Sequence, residues 1–462
     1  MTSFNKRSLC VIIYVLFMLN CISAQQKRYS LLELTDAALQ HYPLLQQDEL
    51  KIKTAEAIVT DIRHSYLPTM RVNDQINLGT DNSIAGGYLP MGIIPSVSAG
   101  VRNSNISTAA SGNLAAFYSE YELYNFGLKQ AKTNNAQMSV HIERAGLDQD
   151  KYALKLQVSN AYFNLIKNTY QLAADQDNVM RYSEIFKVIE ALVKSGLKPG
   201  ADSSLTKAEL SKAKTVYNLS LGNVKAIKLE LSYLTGLDSA TVNIDTSIVL
   251  DYKKVVPNTA VLQDSANHPY LNFINQQKQF LISNNSVIRK SYLPKLTLAG
   301  SAWARGSSIQ YNDQFQSLGE GLGLQRFNYM AGISVNYDLF NNIRKKDKLT
   351  INNFQIQSID KQLLQEKYLL QNSEIQADNA VITSQNNLEE LPNQVMAASN
   401  VLQDKMAQYK AGLINLIDLT NAAFVLYRSK TDYIETLSTL YTARLQKAAA
   451  NGTLNAFIQA IK

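Results

Sequence analysis

Alternation of apolar and polar residues predicts β-strands at two places in the chain. After Pro68, apolar side chains occupy every second position, which is the pattern of a strand with one apolar side. The apolar positions are Met70, Val72, Ile76 and Leu78. A loop rich in Gly, Ser, Asn and Pro over 79–113 separates this strand from a second one over about 114–123. The alternation returns over 329–339, and its partner strand begins near Leu296.

Long segments of helical composition follow each pair of strands. They run from about 128 to 194 and from about 344 to 410. At about 1.5 Å per residue, each segment reaches about 100 Å. We expect Pro392 to kink or break the second segment, because proline lacks a donor and clashes with the preceding turn.

Two further helices are indicated by a start signal and by apolar spacing. Ser30 and Glu33 form the signature of a capping box, and helical spacing continues past Pro43 to about Tyr66. In the last helical segment, apolar residues recur every three or four positions and form a heptad seam that Lys430 interrupts. The seam consists of Leu416, Leu419, Ala423, Leu426, Tyr433, Leu437 and Leu440.

The chain contains an internal duplication. The residues R-H-S-Y-L-P at 63–68 recur as R-K-S-Y-L-P at 289–294, and Y-E-L-Y-N at 121–125 recurs as Y-D-L-F-N at 337–341. Further matches continue to the end of the chain at the second spacing, so one deletion explains the change of spacing. Landmarks in one order with a single deletion distinguish a duplication from chance similarity.

The predicted organisation follows from this duplication. It consists of a signal peptide over 1–24, a first structural repeat over 25–237, an inter-repeat linker over 238–266 and a second repeat over 267–462. Each repeat is expected to contain helices and one β-hairpin.

The amino terminus predicts export. Lys6 and Arg7 precede an apolar stretch and small residues that end before Gln25, which is typical of a cleaved secretory signal. An uncleaved anchor is the alternative, but it needs about twenty apolar residues and this stretch is shorter. Lipid attachment at Cys21 is another alternative, although Asn20 stands where such a site has a small residue. Signal cleavage removes both cysteines of the sequence.

Composition argues against an enzyme and against a nucleic-acid partner. The 462 residues include only four histidines and two cysteines, and their spacing matches no metal site. The sequence contains no G-x-S-x-G, H-E-x-x-H or Walker motif. The formal charge of +7 is small and dispersed. We therefore predict no enzyme activity, no catalytic or metal-binding residues, no cofactor and no nucleic acid.

Four strands of about ten residues each have the length that crosses a bilayer at a tilt. Four strands cannot close a barrel, and open edges in lipid leave backbone groups unpaired. Three chains would supply twelve strands, and helices with one apolar seam and a polar remainder suit a water-filled helical tube. The predicted fold is mainly α with a membrane β-barrel portion: a trimeric twelve-stranded barrel continued by an α-helical barrel.

Over essentially the whole predicted mature chain, the sequence resembles the TolC-like outer membrane efflux proteins. The matches are the paired helical turns, from Lys194 through Asp202 and from Tyr409 through Asp418, with the duplication and its Tyr-Leu-Pro boundaries. The resemblance implies a homotrimer in the lipid of the outer membrane, with helices that cross the periplasm. It also implies a passive exit duct of a tripartite efflux or type I secretion system, which a periplasmic adaptor connects to an inner-membrane pump.

The resemblance places the two Gly-Leu turns at the periplasmic tips, where the family meets its adaptor. These are Gly196-Leu197 and Gly412-Leu413. Glycine permits a left-handed helix end, and an exposed leucine offers an apolar contact. The alternative is an ordinary helix end whose leucine packs locally.

The resemblance also implies an entrance near these tips. Asp418 matches an acidic position there, and three copies would form an anionic ring that selects against anions. Asp202 is its counterpart in the first repeat, with an N-cap as the alternative role. Ile414 and Asn421 stand where some members carry a basic and a second acidic residue. We therefore expect closure to rest more on Tyr409 and apolar packing than on a charge-based lock.

Two other classes of protein remain open at this point. One is a periplasmic or surface coiled-coil structural protein without channel activity, which extraction without detergent would distinguish. The other is the periplasmic adaptor, which also has long helical hairpins but needs further strand-rich domains that this sequence does not indicate.

Overall fold

The computed structural model describes residues 28–84, 100–246 and 268–461. The predicted signal peptide with Cys21, the central part of the predicted loop over 79–113 and most of the predicted linker over 238–266 lie outside the described residues.

Each half of the chain has the order helix, two long strands, long helix and return helix. The helices are α1 (Leu31–His41), α2 (Pro43–His64), α3 (Leu128–Lys194), α4 (Gly200–Thr235), α5 (Pro269–Ser291), α6 (Asn341–Lys410), α7 (Leu416–Ala450) and α8 (Leu454–Ala460). The strands are β1 (Arg28–Tyr29), β2 (Thr69–Gly79), β3 (Ser83–Ile84), β4 (Gly100–Val101), β5 (Ala110–Tyr124), β6 (Asn243–Ile244), β7 (Lys295–Ser307) and β8 (Arg326–Asn336). Among the described helices, none has the length and apolar character needed to span a membrane.

The start of α1 is the predicted capping box. The Ser30 hydroxyl accepts from the backbone N–H of Glu33 at 3.3 Å, and the Ser30 N–H donates to the Glu33 carboxylate at 2.9 Å. The prediction of one continuous helix from here to residue 66 is wrong, because Tyr42 is extended (φ −66°, ψ 118°) and separates α1 from α2. A residue before proline avoids the helical region, whereas Pro43 suits the first turn of α2.

The four long strands form one antiparallel sheet in the order β2-β5-β7-β8. The two predicted hairpins are joined by pairing of β5 with β7. One row of residues crosses the sheet from Val72 to Phe117, Ala302 and Tyr329. The sheet has β2 and β8 as its two edge strands.

Two strands differ from the predicted bounds. The strand β5 begins at Ala110, earlier than residue 114, because residues of the predicted loop pair with both β2 and β7. Sheet pairing outweighs the low strand propensity of such residues. The strand β8 ends at Asn336, before residue 339. There the Asp338 carboxylate accepts from the backbone N–H of Phe340 at 3.0 Å and turns the chain toward α6.

The long helices α3 and α6 are continuous. A break at Pro392 is not observed, since α6 runs through this residue. Leu388 and Leu391 beside it are buried. The packing of these neighbours compensates for the helical hydrogen bond that proline cannot donate.

The heptad seam of α7 is confirmed. Its members are buried, apart from a partly buried Tyr433. Lys430, which interrupts the seam, is partly buried and donates to the Asp177 carboxylate of α3 at 3.1 Å. The interruption is therefore an ion pair between two helices.

The chain divides into two units. One comprises the described residues up to Ile52, those of Ile142–Gln276 and those from Ile359 onward. Its cores are formed mainly by α1, α3, α4, α6, α7 and α8, with Leu45 of α2 and Ile244 of β6. The other comprises Lys53–His141 and Gln277–Ser358 and contains the four-stranded sheet.

Candidate functional site

The two helical turns that the duplication pairs have the same backbone geometry. Gly196 follows α3 with φ 73°, and Gly412 follows α6 with φ 78°. The N–H of Leu197 bonds to the Leu192 carbonyl at 2.9 Å, and the N–H of Leu413 bonds to the Gln408 carbonyl at 2.9 Å. With the glycine N–H bonds to Val193 and Tyr409 at 3.0 Å, each turn is a Schellman motif, which requires the left-handed glycine.

The leucine of each turn points into solvent. Leu197 is 70% exposed and Leu413 is 75% exposed. A leucine that packs locally, which the sequence left open, is therefore not observed. The two turns present one apolar side chain each at the end of a helical hairpin.

Tyr409 and Asp202 meet across these two hairpins. The Tyr409 hydroxyl donates to the Asp202 carboxylate at 2.8 Å, and the tyrosine is 0% exposed. Burial, together with the hydrogen bond to Asp202, raises the pKa of Tyr409 above its usual value. The phenol is therefore protonated at neutral pH and acts as a donor. This bond joins α6 of the second repeat to α4 of the first.

A small apolar cluster surrounds the Tyr409 ring. Its buried members are Tyr182, Ile185, Ile189, Ala213, Leu416, Leu419 and Ala423. Ile414 packs against this cluster from the second turn. Ile414 thus adds apolar packing between the second turn and the cluster.

Asp202 does not cap a helix. The N-cap of α4 is Pro199, and Asp202 lies in the first turn with its carboxylate on Tyr409. In the second repeat, Asn415 caps α7 and accepts from the backbone N–H of Asp418 at 2.9 Å. The N-cap interpretation of Asp202 is therefore wrong, because proline has taken the cap position.

Asp418 and Asn421 lie on α7 and take no part in the hydrogen bond between Tyr409 and Asp202. Both are exposed and line a groove between α6 and α7 together with Gln394, Lys405 and Val425. Within the described part of the chain, the Asp418 carboxylate accepts no hydrogen bond. The structure thus joins Asp202 to Tyr409 and leaves Asp418 facing a groove.

Lys198 belongs to the same site and carried no signal in the sequence. Its ammonium group lies 4.6 Å from the centroid of the Tyr409 ring. A cation over an aromatic face is attracted by about 0.5–2 kcal/mol, depending on exposure. Lys198 is half-buried. Its contact places the first turn over the ring of Tyr409, whose hydroxyl donates to Asp202.

Comparison with known proteins finds a family that the first half of this chain resembles. Residues 34–237 match the model of the family described as outer membrane efflux protein. No curated protein matches the chain. The predicted resemblance to the TolC-like outer membrane efflux proteins is confirmed. This is a family of channels and not of enzymes.

Solved structures of outer membrane channels share the fold. The outer membrane protein VceC of Vibrio cholerae superposes with a TM-score of 0.70 at 14% identity, covering 91% of this chain and 96% of VceC. The CmeC channel of Campylobacter jejuni gives 0.69 at 13% identity, covering 92% and 86%. The open MtrE channel of Neisseria gonorrhoeae gives 0.63 at 17% identity, covering 92% and 89%. The family match and the shared fold support an efflux channel.

Proposed function

We propose that three copies of this chain form an outer membrane channel that serves as the exit duct of a tripartite efflux or type I secretion system. The chain is a passive conduit. An inner-membrane pump supplies the energy, and a periplasmic adaptor connects the pump to the helical end of the channel.

The observation that carries this proposal is the four-stranded sheet with two open edges. Strands β2 and β8 are the edges, and every residue in both strands is exposed. An unpaired backbone group in lipid costs several kcal/mol, and closed outer-membrane barrels have at least eight strands. Pairing of β2 in one copy with β8 in the next would close a barrel of twelve strands.

Exposed apolar side chains on the edge strands support contact with outer membrane lipid. On β2 they are Met70, Val72, Ile76 and Leu78, and on β8 they are Phe327, Tyr329, Ile333 and Val335. In the proposed assembly, each repeat over 25–237 and 267–462 supplies two strands to the barrel. Each repeat also supplies its helices to a tube across the periplasm.

The entrance of the channel lies at the hairpin tips in this proposal. The Tyr409–Asp202 bond and the apolar cluster around Tyr409 hold the two hairpins together in the closed state. Three exposed Asp418 carboxylates about the symmetry axis, flanked by Asn421, form an anionic ring that selects against anions.

The tips are the adaptor contact in this proposal. Leu197 and Leu413 extend from turns that Gly196 and Gly412 shape, and exposed leucines suit an apolar contact with a partner. A coiled-coil structural protein, which is the alternative, does not require a sheet with exposed apolar side chains on its edge strands.

Recording currents from the purified protein in planar lipid bilayers tests the proposal. We expect stepwise cation-selective currents that increase when Tyr409 is replaced by phenylalanine. The proposed channel function would be refuted if both the unmodified protein and Tyr409→Phe insert into bilayers and conduct no ions.

A further inference from the structure

A buried carboxylate joins three helices at some distance from the hairpin tips. Asp175 of α3 is 1% exposed. Its Oδ1 accepts from the Tyr427 hydroxyl of α7 at 2.7 Å and from the Gln171 amide of α3 at 2.8 Å. Its Oδ2 accepts from the Ser220 hydroxyl of α4 at 2.5 Å. We call these four residues the Asp175 clasp.

Burial of the Asp175 carboxylate costs free energy. A carboxylate removed from water needs hydrogen bonds to offset its desolvation, and the three donors meet that need. Apolar residues of similar size often give a protein at least as much stability as buried charges do. A carboxylate with one donor from each of three helices instead specifies how these helices are aligned.

The clasp divides α7 into two parts with different neighbours. Between Tyr427 and the tip, Leu416, Leu419 and Ala423 belong to the small apolar cluster around Tyr409. Beyond Tyr427, Lys430 pairs with Asp177 and Glu435 pairs with Lys167 at 2.5 Å, and then the large core begins.

The two parts therefore differ in what holds them. The tip part is held by the apolar cluster that includes Tyr409 and by the Asp175 clasp at its far end. The remote part is held by ion pairs and by a core that includes Leu437, Leu440 and Ala448. The tip part of α7 thus packs on the smaller of the two cores.

We propose that Asp175 is a positioning residue of the channel entrance. Its clasp holds α7 to α3 and α4, and it restrains the movement of residues 416–426, the part of α7 between the tip and the clasp, during opening. This inference rests on the proposed channel function, because it assigns what restrains α7 at the proposed entrance.

Cysteine labelling on the two sides of the clasp tests this inference. Ala423 and Ala443 are buried residues of α7, 0% and 3% exposed. Each is changed to cysteine in a full chain in which Cys10 and Cys21 are serine. The labelling rate of the detergent-extracted protein with a maleimide then reports how often each side of the clasp opens. The clasp variants are Tyr427→Phe, Ser220→Ala and Asp175→Asn, and Thr439→Val on the exposed face of α7 is the matched control.

We expect Tyr427→Phe to raise the labelling rate at position 423 about tenfold, which corresponds to the loss of one hydrogen bond to a charged group. The rate at position 443 stays within about twofold, and the control changes neither rate. Tyr427→Phe and Ser220→Ala each remove a single donor, so they keep the test available if Asp175→Asn does not fold. Equal increases at both positions would overturn the inference, because they would mean that the clasp only stabilises the bundle. Unchanged rates at both positions would also overturn it.

Bilayer currents of the same variants separate this inference from the proposed function. Increased labelling at position 423 together with increased current supports both. Increased labelling without any current supports the clasp and contradicts the channel. An increased current without increased labelling contradicts the clasp alone.

Discussion

Replacing Tyr409 by phenylalanine removes one hydroxyl and keeps the ring that fills the apolar cluster. The hydroxyl donates to the Asp202 carboxylate at 2.8 Å, and the tyrosine is completely buried. A hydrogen bond to a charged group contributes about 1.5–3 kcal/mol. Asp202 is half-buried and regains water when the bond is lost, so we take about 1.5 kcal/mol for each chain.

The effect multiplies in a trimer whose three bonds break together when the entrance opens. Three bonds then favour the closed state by about 4–5 kcal/mol. Because about 1.4 kcal/mol is a factor of ten in an equilibrium constant, the ratio of closed to open channels is expected to fall about a thousandfold in the variant. Single-channel recording in planar bilayers measures this ratio as open probability. Tyr368→Phe is the matched control, because Tyr368 lies on the same helix and is 62% exposed.

A double variant identifies the bond as the cause. Tyr409→Phe and Asp202→Ala each remove the same hydrogen bond, so the double variant is expected to open no more than the more open single variant. An open probability of Tyr409→Phe equal to that of the unmodified protein would refute the reasoning, as would independent effects of the two substitutions.

Three further predictions concern the tips and the entrance. Gly412→Ala forces alanine to adopt φ 78°, which is expected to cost about 1–2 kcal/mol of local stability at the turn. Hydrogen exchange measures this loss. The control is Gly222→Ala inside α4, which is expected to cost no stability. Leu413→Ser is expected to abolish export in cells that depend on this channel while leaving bilayer conductance unchanged. Leu219→Ser is the control on α4, where Leu219 is 64% exposed, and it should leave export intact. Asp418→Asn is expected to reduce cation selectivity, measured as reversal potential in a salt gradient, and Asp418→Glu should preserve it; an unchanged potential in Asp418→Asn would exclude the anionic ring.

Most of the fold was predictable from the sequence, because apolar spacing and internal repetition can be read directly along the chain. The seam of α7, the long helices, the four strands and the two Gly-Leu turns were all predictable in this way. The separation of α1 from α2 was missed, because helical spacing continues across Pro43 even though the residue before a proline leaves the helical region.

Pairings between distant residues were not predictable. Tyr409 and Asp202 are 207 positions apart, and only the resemblance to a family suggested that both lie near the entrance. The position of Lys198 over the Tyr409 ring had no signal, since a lysine in a turn is typical of any exposed loop. The joining of two hairpins into one sheet likewise depends on contacts between the repeats.

Asp175 has a signal in the sequence, because it lies on the buried seam of α3. Asn178, Tyr182, Ile185 and Ile189 follow it at intervals of three and four, and these residues are buried. A carboxylate on such a seam breaks the apolar pattern as Lys430 does on α7. Its donor Ser220 lies on another helix and could be found only in the structure.

The proposed channel depends most on closure of the open edges of the sheet by other copies of the chain. Light scattering of the detergent-extracted protein, with detergent-free extraction as the control, tests it most directly. We expect a protein that requires detergent and whose mass is close to three chains of at most 51.5 kDa each. A monomer or dimer that extracts without detergent would contradict it and favour the coiled-coil alternative.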